Sequence, residues 1–355
     1  MKFHRKHSWQ SCGWRRTEIA AAPAPKPNNW KRILPGLLIS LVALAVLLYL
    51  AEPRRLLAAL KLADYRLVLA GAGLMLIWLV VRSIYWRTLL QEKATFTQVF
   101  FAINEGYLLN NVLPFRLGEI GRALILSYKA SLSFLFVFST ILIERALDVA
   151  ISAGLILITV PFVVGASWAG EAALISGGIV LLGLGLLYLM ARNRNKLITL
   201  FEKLSQRWTI LNKVGSHHLT AFFSGLEVLT DLRRFLRAIS WGLLNWVVAI
   251  VQYYVILRAF FPEGKLLWAV FGLGAAALGV AAPSSPGAVG VYELAVVGAL
   301  SLLKVDPAEA LAFALTAHLI QYLTTTILGT IGLFRDGLSL TSVFQKARSI
   351  PLIES

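Results

Sequence analysis

The sequence predicts an all-α polytopic membrane protein, with about six full spans plus two re-entrant helical hairpins in an inverted-repeat-like arrangement. Three observations carry that expectation. Hydrophobic residues make up 58% of the 355-residue chain and charged residues only 15%, where a soluble domain carries about 25%. Apolar runs long enough for the ~30 Å core of a bilayer, about 20 residues each, recur along the chain. Two further apolar runs are short and end at Pro and Gly, in 110–122 and 283–293.

Taken in order, residues 1–33 hold eight Lys/Arg against Glu18 alone and read as a basic cytoplasmic tail. Residues 34–51 are the first span, too long and too far from the start for an ordinary signal peptide. Residues 54–66 place Leu56, Leu57, Leu60 and Ala63 on one face of a short interfacial helix. Residues 67–90 are the second span, with Arg82, Trp86 and Arg87 in its last turns as headgroup-level anchors. Segment 98–113 and the piece after Gly118, 119–131, are each too short to cross and read as one hairpin, the alternative being a kinked full span packed through its glycines. Residues 133–163 are a long span, the linker 164–173 has no Lys or Arg, and 174–191 return. Loop 192–236 is basic, with Trp208 and Phe222-Phe223 expected on the membrane surface and no metal site in His217-His218. Residues 238–260 cross outward, 266–282 and 287–303 form the second short pair, and 310–334 are the last span. The domain unit is thus 34–336, with a first half 34–191, the loop 192–236, a second half 237–336 and a cytoplasmic tail 337–355.

Loop charge fixes the parity of these segments. With both termini and loop 192–236 cytoplasmic and 164–173 external, the Pro114 region enters and leaves on the inner side. The Pro286 region enters and leaves on the outer side. Short Pro/Gly-interrupted segments at corresponding places in two halves point to a substrate site near mid-membrane.

The charge of +16 lies largely in the tail and the loop, so it implies anionic lipid rather than nucleic acid. The single cysteine, Cys12, excludes an internal disulfide or a cysteine metal cluster. No nucleotide loop, zinc helix or nucleophile elbow is present, so neither cofactor nor metal is expected.

Candidate site residues gather at the two interruptions and in the long span between them. Asn111, Arg116, Glu119 and Arg122 border the first turn. A helix start favours anions, and guanidinium forks match phosphate oxygens; an ion cluster of Arg116 and Arg122 with Glu119 weighs equally. Glu144, Arg145 and Asp148 share one stretch of helix, where like-charged carboxylates need a cation between them or a shared proton. Ser284, Ser285, Gly287, Gly290 and Glu293 form the second turn, Gly287 and Gly290 allowing close approach of a ligand. Glu105, His318 and Tyr322 are second-tier candidates; a single intramembrane His more often fills a packing role. No catalytic residue is assigned.

Three motifs stand in order: Asn111-x-x-Pro-x-Arg-x-Gly-Glu-x-x-Arg122, Glu144-Arg145-x-x-Asp148 and Pro283-x-x-Pro-Gly-x-x-Gly-x-x-Glu293. Together they resemble the lysylphosphatidylglycerol synthase transmembrane region, or flippase-like membrane family, over about 34–336. Ala288 stands where the family often has a second Gly. In two-domain members that unit is implicated in moving aminoacylated phosphatidylglycerol between leaflets, and a soluble domain makes the lipid. With the chain ending at Ser355, the resemblance implies no lysyl transfer. It implies a translocase in the cytoplasmic (inner) membrane, handling an anionic or aminoacylated phospholipid or a polyprenyl-phosphate-linked lipid. The alternatives are a membrane enzyme or an accessory scaffold in lipid-linked glycolipid synthesis. Expected partners are membrane lipids with anionic headgroups and a lipid-modifying enzyme, with no nucleic acid.

Overall fold

The computed structural model describes residues 45–47, 49, 52–113, 116–164, 168–205, 216–281 and 285–337. Every regular element among them is a helix. In chain order these are α1 Pro53–Leu62, α2 Tyr65–Leu89, α3 Phe96–Val112, α4 Gly118–Ala130, α5 Phe134–Val164 and α6 Trp168–Arg192. They continue as α7 Arg194–Ser205, α8 Ser216–Leu226, α9 Leu232–Phe260, α10 Leu266–Ala281, α11 Val291–Leu302 and α12 Pro307–Arg335. Four of these, Tyr65–Leu89, Phe134–Val163, Leu232–Phe260 and Pro307–Arg335, are long and apolar enough to cross a membrane. The chain is an integral membrane protein. The expected first span, 34–51, lies almost wholly outside the described residues.

Local sequence sets the helix starts. Asp64, Thr95, Asp231 and Asp306 each accept a hydrogen bond from a backbone N–H of the first turn they precede. Gln98 completes a capping box with Thr95. Pro307 follows Asp306 at the first helical position, where its missing N–H costs nothing.

Contacts between helices give the bundle two ends. α2 and α9 run antiparallel: Asp64 N–H donates to the Ala259 carbonyl at 3.0 Å, and Tyr85 lies over Gly242. The Trp86 indole donates to Thr140 at 3.1 Å, which sets the start of α5 beside the close of α2. α3 is antiparallel to α12, with Asn111 on Thr326 and Phe101 near Gly332. One end therefore gathers Leu89, Phe96, Phe134, Leu232 and Arg335, and we name it the basic end. The other gathers Tyr65, Phe260, Leu266 and Pro307. The α3–α4 pair starts and finishes at the basic end, where Gln98 reaches the Lys129 carbonyl at 2.9 Å. The α10–α11 pair starts and finishes at the opposite end, where Val305 N–H bonds the Leu300 carbonyl and Phe261 packs on Trp268.

Each end has its own packed core. One surrounds Trp86, Leu89, Ile103, Leu126 and Ile141; the other surrounds Tyr253, Leu257, Leu300, Leu311 and Phe313. Lipid supplies no hydrophobic drive between helices, so close packing must hold them. The start of α12 does this by composition: Ala310, Ala312 and Ala314 are fully buried and bracket Phe313, whose ring meets Tyr253 edge-on at 4.9 Å.

Several expectations change. Most of the linker 164–173 is helix, because α6 begins at Trp168. The basic loop is largely helical, and α9 begins at Leu232 behind its Asp231 cap. Phe223 is buried in the core rather than spread on a surface. Gly225 explains this, since its missing side chain lets α8 settle on Ser139 and the Phe136 carbonyl. In α1, Leu56 and Ala63 are buried while Leu57 points outward, so the buried face is narrower than its sequence suggested. Trp208 and the side chains of His217 and His218 lie outside the described residues.

Candidate functional site

The first turn is closed by a side chain that sequence reasoning passed over. Asn110 Oδ1 accepts the Gly118 N–H at 2.8 Å, and an added Cβ at Gly118 would run into the Gly106 carbonyl oxygen. Asn110 and Gly118 thus let α4 turn back tightly on α3. Arg116 sits at φ 56°, in the left-handed region. From there its guanidinium donates to the Val280 carbonyl at 3.0 Å, on the last turns of α10. Asn111 donates to Thr326 at 3.0 Å and to Thr325 at 3.2 Å, fixing the end of α3 to α12. Pro114 lies outside the described residues.

Behind this turn lies a buried ion cluster. Arg122 bonds Glu119 at 2.9 Å and Glu144 at 3.0 Å, with its guanidinium 4.3 Å above the Trp86 ring. Arg145 reaches Glu144 at 2.8 Å and Asp148 at 3.2 Å. Arg82 pairs with Glu144 and, at 2.7 Å, with Asp148, so it bridges the two carboxylates alongside Arg145. This corrects the expectation for Arg82 and Trp86. Both are buried in the bundle rather than anchored at the headgroups, because Glu144 and Asp148 on α5 face that side of α2. The periodic position of Arg82 near a span end gave no hint of a partner 62 residues away. Four guanidinium groups (Arg82, Arg116, Arg122, Arg145) meet three carboxylates (Glu119, Glu144, Asp148), leaving one positive charge in excess.

The second turn is held by backbone geometry. Gly287 and Gly290 adopt φ 65° and 86°, and Ala288 adopts 55°. Ser285 donates to the Val289 carbonyl at 3.1 Å across the turn. The α-helix resumes at Val291, inside the segment expected from 287. Glu293 points inward, accepting the Gly290 N–H at 2.7 Å and meeting His318 Nδ1 at 2.6 Å. Pro283 and Ser284 lie outside the described residues.

Between the two turns lies a cavity of about 250 Å³. Arg82, Arg116, Arg145 and Asp148 supply its charged wall. Trp78, Tyr107, Trp246, Tyr253, Tyr292 and Tyr322 supply an aromatic one, and Asn245, Gln252 and Gln321 add neutral polar groups. Of the residues singled out from sequence, Asn111, Arg116, Arg145, Asp148, Ser285, Gly287, His318 and Tyr322 line it. Glu119, Arg122, Glu144, Gly290 and Glu293 stand behind that lining and hold it in place. Glu105 belongs elsewhere: it pairs with Lys129 at 2.7 Å at the basic end, beside Asp336. The wall contributed by α9 carried no signal in the sequence, since Asn245 and Trp246 look like ordinary interruptions of an apolar run. Among the described residues no group of His, Cys, Asp and Glu could hold a metal. Arg116 and Arg145 are the most exposed cations of the cluster, their side chains 27% and 26% accessible. They are the forks that an anion entering the cavity would meet first.

The family described as Lysylphosphatidylglycerol synthase TM region matches residues 33–329. The chain belongs to that family. Its cavity, its ion cluster and both turns fall inside the matched stretch. Among curated proteins the chain is similar to Glycosyltransferase AglD of Haloferax volcanii, with 26% identity over 364 residues and 92% of this chain covered. The match spans 58% of AglD's own length. A UPF0104 membrane protein of Methanocaldococcus jannaschii is 24% identical over 72% of this chain and 80% of its own. A second from the same organism is 25% identical over 63% of this chain and 92% of its own. No solved structure matches.

Proposed function

We propose that this family member moves a lipid with a phosphate-bearing head between leaflets, holding the head in the cavity between the two turns. The observation that carries the reading is the excess positive charge behind a cavity walled on one side by Arg116 and Arg145. A charge inside a membrane needs a counter-charge, and the cluster behind the first turn holds one guanidinium more than its own three carboxylates. In this reading the α3–α4 and α10–α11 pairs are re-entrant hairpins dipping in from opposite leaflets, as in an inverted repeat. Segment 34–51 and α6 complete six crossings beside the four long helices. The basic end faces the cytoplasm, which suits its arginines and the positive-inside bias. Arg122, Glu119 and Glu144 position the charged wall rather than touch the lipid.

AglD is named a glycosyltransferase, which favours a second substrate class, a polyprenyl-phosphate-linked sugar. Its phosphate would meet the same arginines. The test is leaflet exchange of fluorescent lipids in vesicles carrying the full chain. Phosphatidylglycerol and a polyprenyl-phosphate sugar are the two probes and phosphatidylcholine is the control. An Arg116→Ala variant is expected to slow exchange of the preferred anionic lipid about tenfold, for loss of one charge-assisted contact. Equal exchange by variant and parent for both anionic probes counts decisively against the reading.

A further inference from the structure

We propose that His318, backed by Glu293, is a proton-accepting site that adds positive charge to the cavity when a phosphate-bearing headgroup occupies it. The inference rests on the anion-binding reading of the same cavity. Glu293 is buried, and its two oxygens are committed, one to the Gly290 N–H at 2.7 Å and one to His318 Nδ1 at 2.6 Å. A carboxylate on Nδ1 fixes the ring and leaves Nε2 as the working nitrogen, as in any base oriented by a third group. His318 lines the cavity, its side chain 11% accessible, and Nε2 has no partner among the described residues. The step balances simply: Nε2 takes a proton from hydronium and releases water, Nδ1–H stays hydrogen-bonded to the carboxylate, and the pair passes from one negative charge to neutral.

Every neighbouring element contributes groups that bear on this charge. From α11, Tyr292 stacks on the imidazole at 4.4 Å. From α9, the Tyr253 hydroxyl lies 3.2 Å from that of Tyr292. From α12 itself, Tyr322 stands edge-on at 6.5 Å. Across the cavity lie Arg82 on α2, Tyr107 on α3, Arg116 beside the first turn, and Arg145 and Asp148 on α5. Phenols, guanidinium groups and carboxylates ordinarily keep one charge state between about pH 5 and 8, where imidazole changes its own. In the empty cavity, an imidazolium shares space with Arg116 and Arg145. A phosphate between them attracts all three, so proton and anion favour each other, and linkage makes the effect reciprocal.

The experiment uses the full chain in vesicles of phosphatidylcholine with phosphatidylglycerol, wild type against His318→Gln. Gln keeps a donor for Glu293 but cannot take a proton. Nitrogen-15 labelling of the five histidines resolves His318 as the signal lost in the variant. The expected result is a His318 signal that changes protonation state between about pH 5 and 8. Wild-type phosphatidylglycerol exchange is expected to be on the order of tenfold different across that range, flat in the variant and flat for phosphatidylcholine. Soluble glycerol phosphate is the second ligand arm. If it perturbs His318 as strongly as the lipid does, the phosphate ester alone is the ligand. A His318 signal fixed in one state across that range overturns the proposal, even where lipids exchange. So does a wild-type profile matching that of the variant. A titrating His318 in a protein that moves no lipid upholds the proton site and sinks the transport reading instead.

Discussion

The two helical hairpins have the same outline and are held together by different physics. The α3–α4 turn is backed by charge: Arg122, Glu119, Glu144, Arg145, Asp148 and Arg82 form one connected set across three helices. The α10–α11 turn is backed by backbone, through left-handed residues at 287, 288 and 290 and one carboxylate that caps the next helix. A charge-held turn resists dissolution, because each ion is buried among partners that would be left without a counter-charge. A backbone-held turn stores strain of about 1–3 kcal/mol at each left-handed residue that is not glycine, held by the packing around it. The contrast is thus between a wall of the cavity held by charge and one held by backbone conformation.

The sharpest way to break that comparison is to remove one carboxylate from each side. Glu144→Ala leaves Arg82, Arg122 and Arg145 without their shared partner deep in the bundle. Breaking a buried ion pair this way costs about 3–5 kcal/mol, so loss of folded protein in detergent, read by thermal unfolding, is the expected outcome. Glu293→Ala strands one backbone N–H and one imidazole, a cost of about 1–3 kcal/mol. The variant should remain folded with a lowered unfolding midpoint. If the two variants lose equal stability, the division into a charge-held and a backbone-held turn is wrong.

The sequence carried much of this asymmetry, but not all of it. The two interruptions were legible because Pro, Gly, Asn and Arg inside apolar runs have few places to go in a bilayer. Glu144 and Asp148, four apart on one helix, demanded a cation or a shared proton, and Arg145, three residues before Asp148, was within reach. Arg82, which bridges the pair alongside Arg145, stayed hidden because its position near the end of a span is also where snorkelling arginines stand. Only the fold turns α2 toward α5 and decides between those fates. Phe223 was misplaced for the same reason: an aromatic pair in a basic loop looks interfacial until Gly225 lets its helix dock. Asn245, Trp246 and Gln252 went unread because single polar residues on α9 gain meaning only when three other helices close around them.

The smaller effects sharpen the comparison at the second turn itself. Gly287 adopts φ 65°, and an added Cβ would stand 3.0 Å from the Tyr322 ring. Gly287→Ala should therefore cost about 1–2 kcal/mol, seen as a modest fall in the unfolding midpoint. Its neighbour carries the opposite prediction. Ala288 is buried at φ 55°, a conformation that costs an L-residue about 1–2 kcal/mol. Glycine would relieve that strain, while its looser unfolded chain takes back about 0.5–1 kcal/mol. Ala288→Gly should therefore stabilise the protein by about 0–1.5 kcal/mol, measured as a small rise in unfolding midpoint beside the Gly287→Ala fall. A midpoint that falls in both variants would mean that packing around the turn, rather than its backbone, governs the second hairpin.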